Sequence, residues 1–339
     1  YAPSPNVKDA TARHMGKPVR MDATGTAAVV IGRNEGERLT RCLRSLLEQL
    51  PLVIYVDSGS SDGSAQTART LGAQVVDLDL SLPFTAARAR NAGLAALEAL
   101  SAEVTYVQFV DGDCEVDPGW IATARDFLDA HDRVAAVCGR RRERFPERSI
   151  YNRLCDAEWD TAIGETQACG GDVLMRLDAL RQAGGYRADL IAGEEPELCL
   201  RLRRAGWRIW RLEAEMTLHD AQMLRFGQWW RRSRRAGHAF AEGAALHGSG
   251  PERHWVRETR RALIWGAALP LALLGFALIW PWLWLGWCIY PLQVLRLSRH
   301  MSSEQAVFTV MGKFAEAVGA LEYHWNRWRG RSRALLEYK

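Results

Sequence analysis

Asp111-Gly112-Asp113 places two carboxylates one residue apart, directly after the apolar run at residues 105–110. Carboxylates at the end of a buried strand are costly unless a cation compensates them. A divalent ion that also grips a diphosphate is the natural partner, because hard cations take oxygen ligands from protein and substrate together. Standing alone, the pair reads equally well as a polar turn ahead of Asp117-Pro118-Gly119. A second cluster runs Asp57-Ser58-Gly59-Ser60-Ser61-Asp62-Gly63-Ser64. Its small residues allow a tight turn and close approach of a ligand to the backbone. It fits neither GxGxxG nor GxxxxGKS/T, so neither a dinucleotide fingerprint nor a P-loop is present. A third, Gly193-Glu194-Glu195-Pro196-Glu197, opens a run with Leu198, Leu202 and Ala205 at helical spacing, stopped by Gly206. Glutamates in a first turn suit the helix dipole, and one of them held there can serve as a general base.

The elements that must position these clusters alternate in type. Apolar runs at 27–31, 52–56 and 105–110, with a shorter one at 74–76, read as strands. Residues 34–49, 64–71 and 86–100 read as helices, the first with Leu39, Cys42, Leu43, Leu46 and Leu47 on one face. Strand and helix alternating at this spacing imply an α/β fold with a doubly wound sheet. Ligands of such sheets sit at the carboxyl ends of the strands, where the polar residues after Ile31, Val56 and Val110 all lie.

Taken together, the segments resemble an inverting glycosyltransferase of family 2, whose catalytic domain has the GT-A fold with a mixed sheet. Ile31-Gly32-Arg33-Asn34-Glu35 and the 57–64 cluster resemble its nucleotide-binding opening. Ala89-Arg90-Asn91-Ala92-Gly93 resembles its ARNxG helix, Asp111-Gly112-Asp113 its DxD, and Gly170-Gly171 its acceptor-side turn. Gly193-Glu194-Glu195 with the following Leu-Cys-Leu-Arg-Leu resembles its GED segment, and the likeness runs over residues 26–220. Two positions depart from the family pattern: Ser58 replaces a second aspartate, and Glu195 stands where the base is usually aspartate. The resemblance implies that Asp57, Arg33, Glu35, Arg90 and Asp111 serve the nucleotide-sugar donor; Arg231, beyond the likeness, is a donor candidate from the Trp229-Trp230-Arg231-Arg232 cluster itself. The resemblance also implies that Asp113, Asp111 and His219 hold Mn²⁺ or Mg²⁺, and that Glu195 is the catalytic base, with Glu194 and Glu197 as alternatives.

Composition bounds the setting. The net charge of +4 does not by itself call for nucleic acid, and none is expected as a partner. Seven cysteines, an odd number without a CxxC pair, argue against a disulfide framework and fit a reducing compartment. Residues 1–14 are polar and patternless, and His14-Met15 resembles a cloning junction, so this stretch is expected to be a remnant outside the catalytic domain at 15–222. Residues 223–261 form a basic amphipathic juxtamembrane region, with nine arginines from Arg225 to Arg261 against Glu242, Glu252 and Glu258. Within it Gln228-Trp229-Trp230-Arg231-Arg232 suits either a donor diphosphate or a lipid surface.

Residues 262–295 carry no charge, exceeding the roughly 20 residues of one crossing. Trp280-Pro281-Trp282 lies near the middle, and Arg257, Arg260 and Arg261 precede the run as Arg296 and Arg299 follow it. The positive-inside rule then places both ends in the cytoplasm, which predicts a membrane hairpin over 262–297. Its limbs reach about 27 and 21 Å, thin for a core of about 30 Å, so a re-entrant hairpin in one leaflet stays open. Residues 298–339 are expected to be an amphipathic helix and a basic tail. The expected function is metal-dependent sugar transfer to a lipid-linked or polysaccharide acceptor at the cytoplasmic face of a bacterial inner membrane. A polyprenyl-phosphate glycosyl synthase is the nearby alternative, and an inactive membrane-tethered scaffold the distant one.

Overall fold

The computed structural model describes residues 25–101 and 103–330; the expected cloning remnant at 1–14 and the last part of the basic tail lie outside them. The chain divides into two compact units. The first takes the chain up to Phe145 together with Asp156–Asp189 and Glu194–Ala221; the second takes Pro146–Cys155, Leu190–Gly193 and the chain from Gln222.

The first unit opens with β1 (Thr26–Gly32), α1 (Glu37–Leu47), β2 (Val53–Asp57), α2 (Ser64–Leu71), β3 (Gln74–Asp77), α3 (Ala86–Leu100) and β4 (Tyr106–Asp111). It continues with β5 (Cys114–Val116), α4 (Trp120–Asp129) and β6 (Val134–Glu143). After α5 (Ile150–Glu158) come β7 (Gly164–Thr166), β8 (Val173–Arg176), α6 (Leu177–Ala183), α7 (Glu194–Arg204) and β9 (Arg208–His219). One nine-stranded sheet results, in the order β3-β2-β1-β4-β8-β6-β9-β5, with β7 beside β9. The first four strands in that order are mutually parallel, while β8 runs antiparallel to β4 and β6, so the sheet is mixed. Strands β1 and β2 are buried on both faces, which is why they read as unbroken apolar runs rather than alternating ones.

Register does the positioning. Gly32 pairs with Asp57 and Ile31 with Asp111, so the polar residues after β1, β2 and β4 emerge side by side. At the other end of the path, His219 closes β9 opposite both Cys114 of β5 and Glu143 of β6. Helix α1 buries Leu39, Cys42, Leu43 and Leu46, the face its spacing predicts. It starts later than the pattern suggests because Asn34 and Gly36 adopt φ of 56° and 53°, which no right-handed helix accommodates. Asn34 is held there by Ser61, whose backbone N–H donates to the Asn34 side-chain oxygen at 2.8 Å.

The second unit is helical: α8 (Phe226–His247), α9 (Val256–Leu263), α10 (Leu269–Ala277), α11 (Ile289–Leu297) and α12 (Ser303–Trp328). Helices α8 and α12 cross with their backbones in contact. A Cβ at Gly237 would lie 2.0 Å from the Glu316 carbonyl, and one at Gly319 would lie 1.9 Å from that of Arg234. Only glycine permits that approach. Aromatic side chains fill the flanks, with Phe308 of α12 edge-on to Trp229 at 4.8 Å and to Tyr151 at 5.6 Å. The predicted amphipathic helix thus exists and runs farther, from the Ser302 cap to Trp328.

Through a π-helical turn at Ile264–Ala268, α9 and α10 form one helix, Val256–Ala277. Pro270 follows that turn; its ring cannot accept the carbonyl four residues earlier in a regular helix, and the wider turn relieves the clash. This helix is long and apolar enough to cross a membrane. The rest of the apolar run is not a single α-helix. Pro281 opens a 3-10 stretch, Pro281–Cys288, and only the nine residues of α11 follow.

Candidate active site

The strand ends of the first unit gather three groups of side chains. In one corner Asp113 is buried, with its Oδ2 3.2 Å from Nε2 of His219. Two cis ligands of an octahedral ion with bonds near 2.1 Å stand about 3 Å apart, so this spacing fits a metal pair. The other imidazole nitrogen, Nδ1, faces Oε2 of Glu143 at 3.6 Å. Glu143 is fixed in turn by the backbone N–H groups of Phe145 and Ala221, which donate to its two oxygens at 3.2 and 3.1 Å. At 3.6 Å no hydrogen bond joins Glu143 to the His219 ring, and a small closure onto Glu143 would orient the ring and raise its basicity when an ion is bound. Asp113, His219 and the Cys114 thiol form a buried cluster whose ligand atoms could hold a metal ion.

In the second group Arg90 of α3 is almost wholly buried and binds three carboxylates. Its Nη1 lies 2.9 Å from both Glu194 and Glu195, and its Nη2 lies 3.0 Å from Asp111. Its neighbour Asn91 clasps the Tyr186 backbone from both sides, at 2.7 and 2.9 Å, and the Tyr186 ring lies 5.5 Å from the guanidinium carbon. The Gly170-Gly171 turn closes the clamp: a Cβ on Gly171 would lie 2.5 Å from Arg90 Nη2 and 3.0 Å from Asp111 Oδ2. Burial lifts the Glu195 carboxyl to about 7, with Glu194 pushing the same way and Arg90 opposing. A carboxylate poised there is matched to proton transfer near neutral pH.

The third group is the pair of loops after β1 and β2. Asp57 is buried and uses both oxygens on its own loop, accepting the Tyr55 hydroxyl at 2.9 Å and the N–H groups of Gly59 and Ser60 at 3.1 and 2.8 Å. Gly36 N–H donates to Asp62 at 3.0 Å and Asn34 N–H to Ser60 at 2.9 Å, so the two loops form one rim. Arg33 is exposed on that rim, and Glu35 pairs with Arg38 at 2.6 Å. Arg231 is exposed on α8 in the second unit.

Three site neighbours escaped the sequence reading. Arg141 of β6 lies 3.6 Å from Asp111 and 3.5 Å from the buried Asp172. Its guanidinium covers the Trp159 ring at 4.7 Å, and that ring meets His219 edge-on at 4.8 Å. In sequence, Arg141 hides in the run Arg140-Arg141-Arg142, which reads as a solvated charge patch. Glu143 hides at its end. Only Asp172, directly after Gly170-Gly171, carried a usable signal, as a carboxylate entering an apolar strand.

Residues 27–179 match the model of "Glycosyl transferase family 2". The chain carries a glycosyltransferase family 2 domain over those residues. Among curated relatives, the succinoglycan biosynthesis protein ExoA of Rhizobium meliloti is 28% identical over 203 residues. That match covers 56% of this chain and 61% of ExoA, less than two thirds of the relative. Among solved structures, the mannosyltransferase PcManGT of Pyrobaculum calidifontis, in complex with GDP-Man and Mn²⁺, superposes with a TM-score of 0.63 at 22% identity. The superposition covers 90% of each chain, and the likeness is one of fold. The family 2 match takes in the loops after β1 and β2, Arg90, both aspartates of Asp111-Gly112-Asp113, Arg141 and Asp172.

Proposed function

We propose that the protein moves a sugar from a nucleotide-sugar donor to a hydroxyl of a lipid-linked or polysaccharide acceptor, with metal and with inversion, at the cytoplasmic face of a bacterial inner membrane. The observation that carries this reading is the juxtaposition of the Asp113–His219 pair with Asp111, which Arg90 ties to Glu195. When bound, a divalent ion would neutralise the charge that develops on the departing diphosphate. Asp113 and His219 would hold it, and Glu143 would keep the His219 ring in place. Glu195 takes the proton from the acceptor hydroxyl as its oxygen bonds to the anomeric carbon. The bond from that carbon to the donor diphosphate breaks in the same step, and displacement from the opposite face inverts the centre. The nucleoside diphosphate leaves with the bonding electrons.

A phosphate acceptor is the second reading, and the ion pairing favours the hydroxyl. Arg90 is committed to Asp111, Glu194 and Glu195, and Arg141 to Asp111 and Asp172, so these guanidinium groups already have carboxylate partners. A neutral hydroxyl needs a base, and Glu195 supplies one. The role of ExoA in succinoglycan biosynthesis supports a polysaccharide product. Membrane attachment is supported by the apolar helix Val256–Ala277 and by the exposed Trp280, Trp282 and Trp284 that follow it. The hairpin over 262–297 is part of the proposal, with its return limb built as a 3-10 stretch and a short helix.

Melting temperatures with UDP, GDP, TDP and CMP, each with Mn²⁺, Mg²⁺ or EDTA, test the donor site. GDP with Mn²⁺ is the first pair to try, because the Pyrobaculum mannosyltransferase holds GDP-Man and Mn²⁺. At one hundred times its dissociation constant a ligand stabilises by roughly 2.7 kcal/mol. A shift that needs metal and vanishes in Asp113→Asn supports the reading. No shift with any nucleotide moves the inactive scaffold ahead of it.

A further inference from the structure

Asp172 has no part in the reaction outlined above, yet it contacts three strands that carry groups of the site. Its side chain is wholly screened from solvent. One oxygen, Oδ1, accepts the Asp111 N–H at 3.1 Å, and the other accepts the Thr217 hydroxyl at 2.7 Å. That second oxygen also lies 3.5 Å from Nε of Arg141. Asp172 thereby links the end of β4, the end of β6 and the last turns of β9, the strands that carry Asp111, Arg141 and His219.

Stitching β4 to β9 would not require a charge. An asparagine could accept from the Asp111 N–H with its oxygen and donate to the Thr217 hydroxyl with its amide. What asparagine cannot do is share Arg141. The guanidinium is divided between Asp172 and Asp111, 3.5 and 3.6 Å away, while its carbon stands over the Trp159 ring at 4.7 Å. A buried cation follows its nearest uncompensated carboxylate, and that pull strengthens in a low-dielectric interior. Without the Asp172 charge, Arg141 would close fully onto Asp111, which Arg90 already holds from the other side.

We propose that Asp172 is a positioning residue of the transfer site: its charge keeps Arg141 over Trp159 and drawn back from Asp111. The half-exposed Asp111 carboxylate then remains open to the donor, and Arg90 remains on Glu195. This inference rests on the transferase reading of the same site.

The test is a double-mutant cycle of wild type, Asp172→Asn, Arg141→Gln and the double variant. Each protein is examined for release of nucleoside diphosphate from GDP-mannose and UDP-glucose. Each is also titrated with GDP or UDP and Mn²⁺ by calorimetry, to count sites per chain. Asp172→Asn should lose about 10- to 100-fold in kcat, as outer residues of a site typically do. Its donor KM should rise by more than about threefold as well, because Arg141 closed onto Asp111 occupies the carboxylate that the donor would meet. Its sites per chain should be unchanged, so that the lost rate is not lost fold. The double variant should be no worse than the poorer single one by more than about threefold, because the two residues act as a unit. Losses that multiply, an unchanged kcat, or a kcat that falls in step with sites per chain would each overturn the assignment. A wild type that neither binds nor turns over any of these probes overturns the transferase reading, and this inference with it.

Discussion

The first unit and the second spend their side chains in opposite ways. In the first, Leu39, Leu43 and Leu46 are fully enclosed, and the buried interior also admits Arg90, Asp113, Glu143, Asp172 and Glu194. Each of those charged groups has a partner at contact distance, and without one a buried charge would cost several kcal/mol. In the second, Leu278, Leu285 and Trp328 are 84%, 72% and 76% exposed, and Trp280, Trp282, Trp284 and Leu271 lie outside as well. Apolar surface on that scale marks a site of interaction rather than a finished exterior. The first unit gathers those buried charges at the strand ends; the second, though it buries His238 and Glu242, leaves many of its large apolar side chains outside.

The sharpest way to break this contrast is to neutralise a hidden charge. Glu195→Gln should lower kcat by about 10²- to 10⁴-fold, the usual worth of a positioned base, while the metal-dependent nucleotide shift in melting temperature persists. The pH profile carries the same information. Because the Glu195 carboxyl is lifted to about 7, it is protonated and idle below that pH. The wild-type rate should climb as pH rises through 7 and then level off, and the Gln variant should lack that rise. A rate flat from pH 5 to pH 9 would remove Glu195 from the proton transfer.

Next in size is the cost of an apolar truncation in each unit. Leu43→Ala, in the enclosed face of α1, should destabilise by about 2–5 kcal/mol in denaturant titration. Leu278→Ala should cost less than about 0.5 kcal/mol, since its side chain meets solvent. Equal costs would mean that the second unit is packed as the first is. Glu143→Gln should weaken Mn²⁺ binding by about 10- to 100-fold through the His219 ring, with the fold intact. Unaltered affinity would separate Glu143 from the metal pair. The smallest effect expected is on membrane retention. Leu278→Glu should reduce cosedimentation with anionic liposomes about 10-fold, from the loss of one buried leucine, and leave nucleotide binding untouched. Undiminished retention would place the lipid-facing surface elsewhere.

Much of the first unit was legible because its signals are local. The strands β1, β2 and β4 are apolar runs that end in polar clusters, and the buried face of α1 repeats at helical spacing. The DxD and the glutamates of α7 could be read from the residues beside them. The clamp could not. Arg90 was read as a donor contact, and the structure commits it to Asp111, Glu194 and Glu195. Asp57 likewise spends its oxygens on Tyr55 and its own loop. Glu143 and Arg141 reach the site because β6 pairs with β9 through register shifts near residues 138–141, which alter which side chains face inward.

The amino-acid sequence alone determined the order of strands and helices, the polar clusters at three strand ends, and the apolar surplus beyond residue 261. Those properties depend on residues within a few positions of one another, where spacing and side-chain type act directly on the backbone. Tertiary structure decided which charge meets which. Arg90 and Glu194 stand 104 residues apart in the chain and 2.9 Å apart in space. Asp113 and His219 are brought to 3.2 Å by the pairing of β5 with β9. Hydrogen bonds and close ion pairs act over about 3 Å, and no local pattern records which distant strand end will supply the partner.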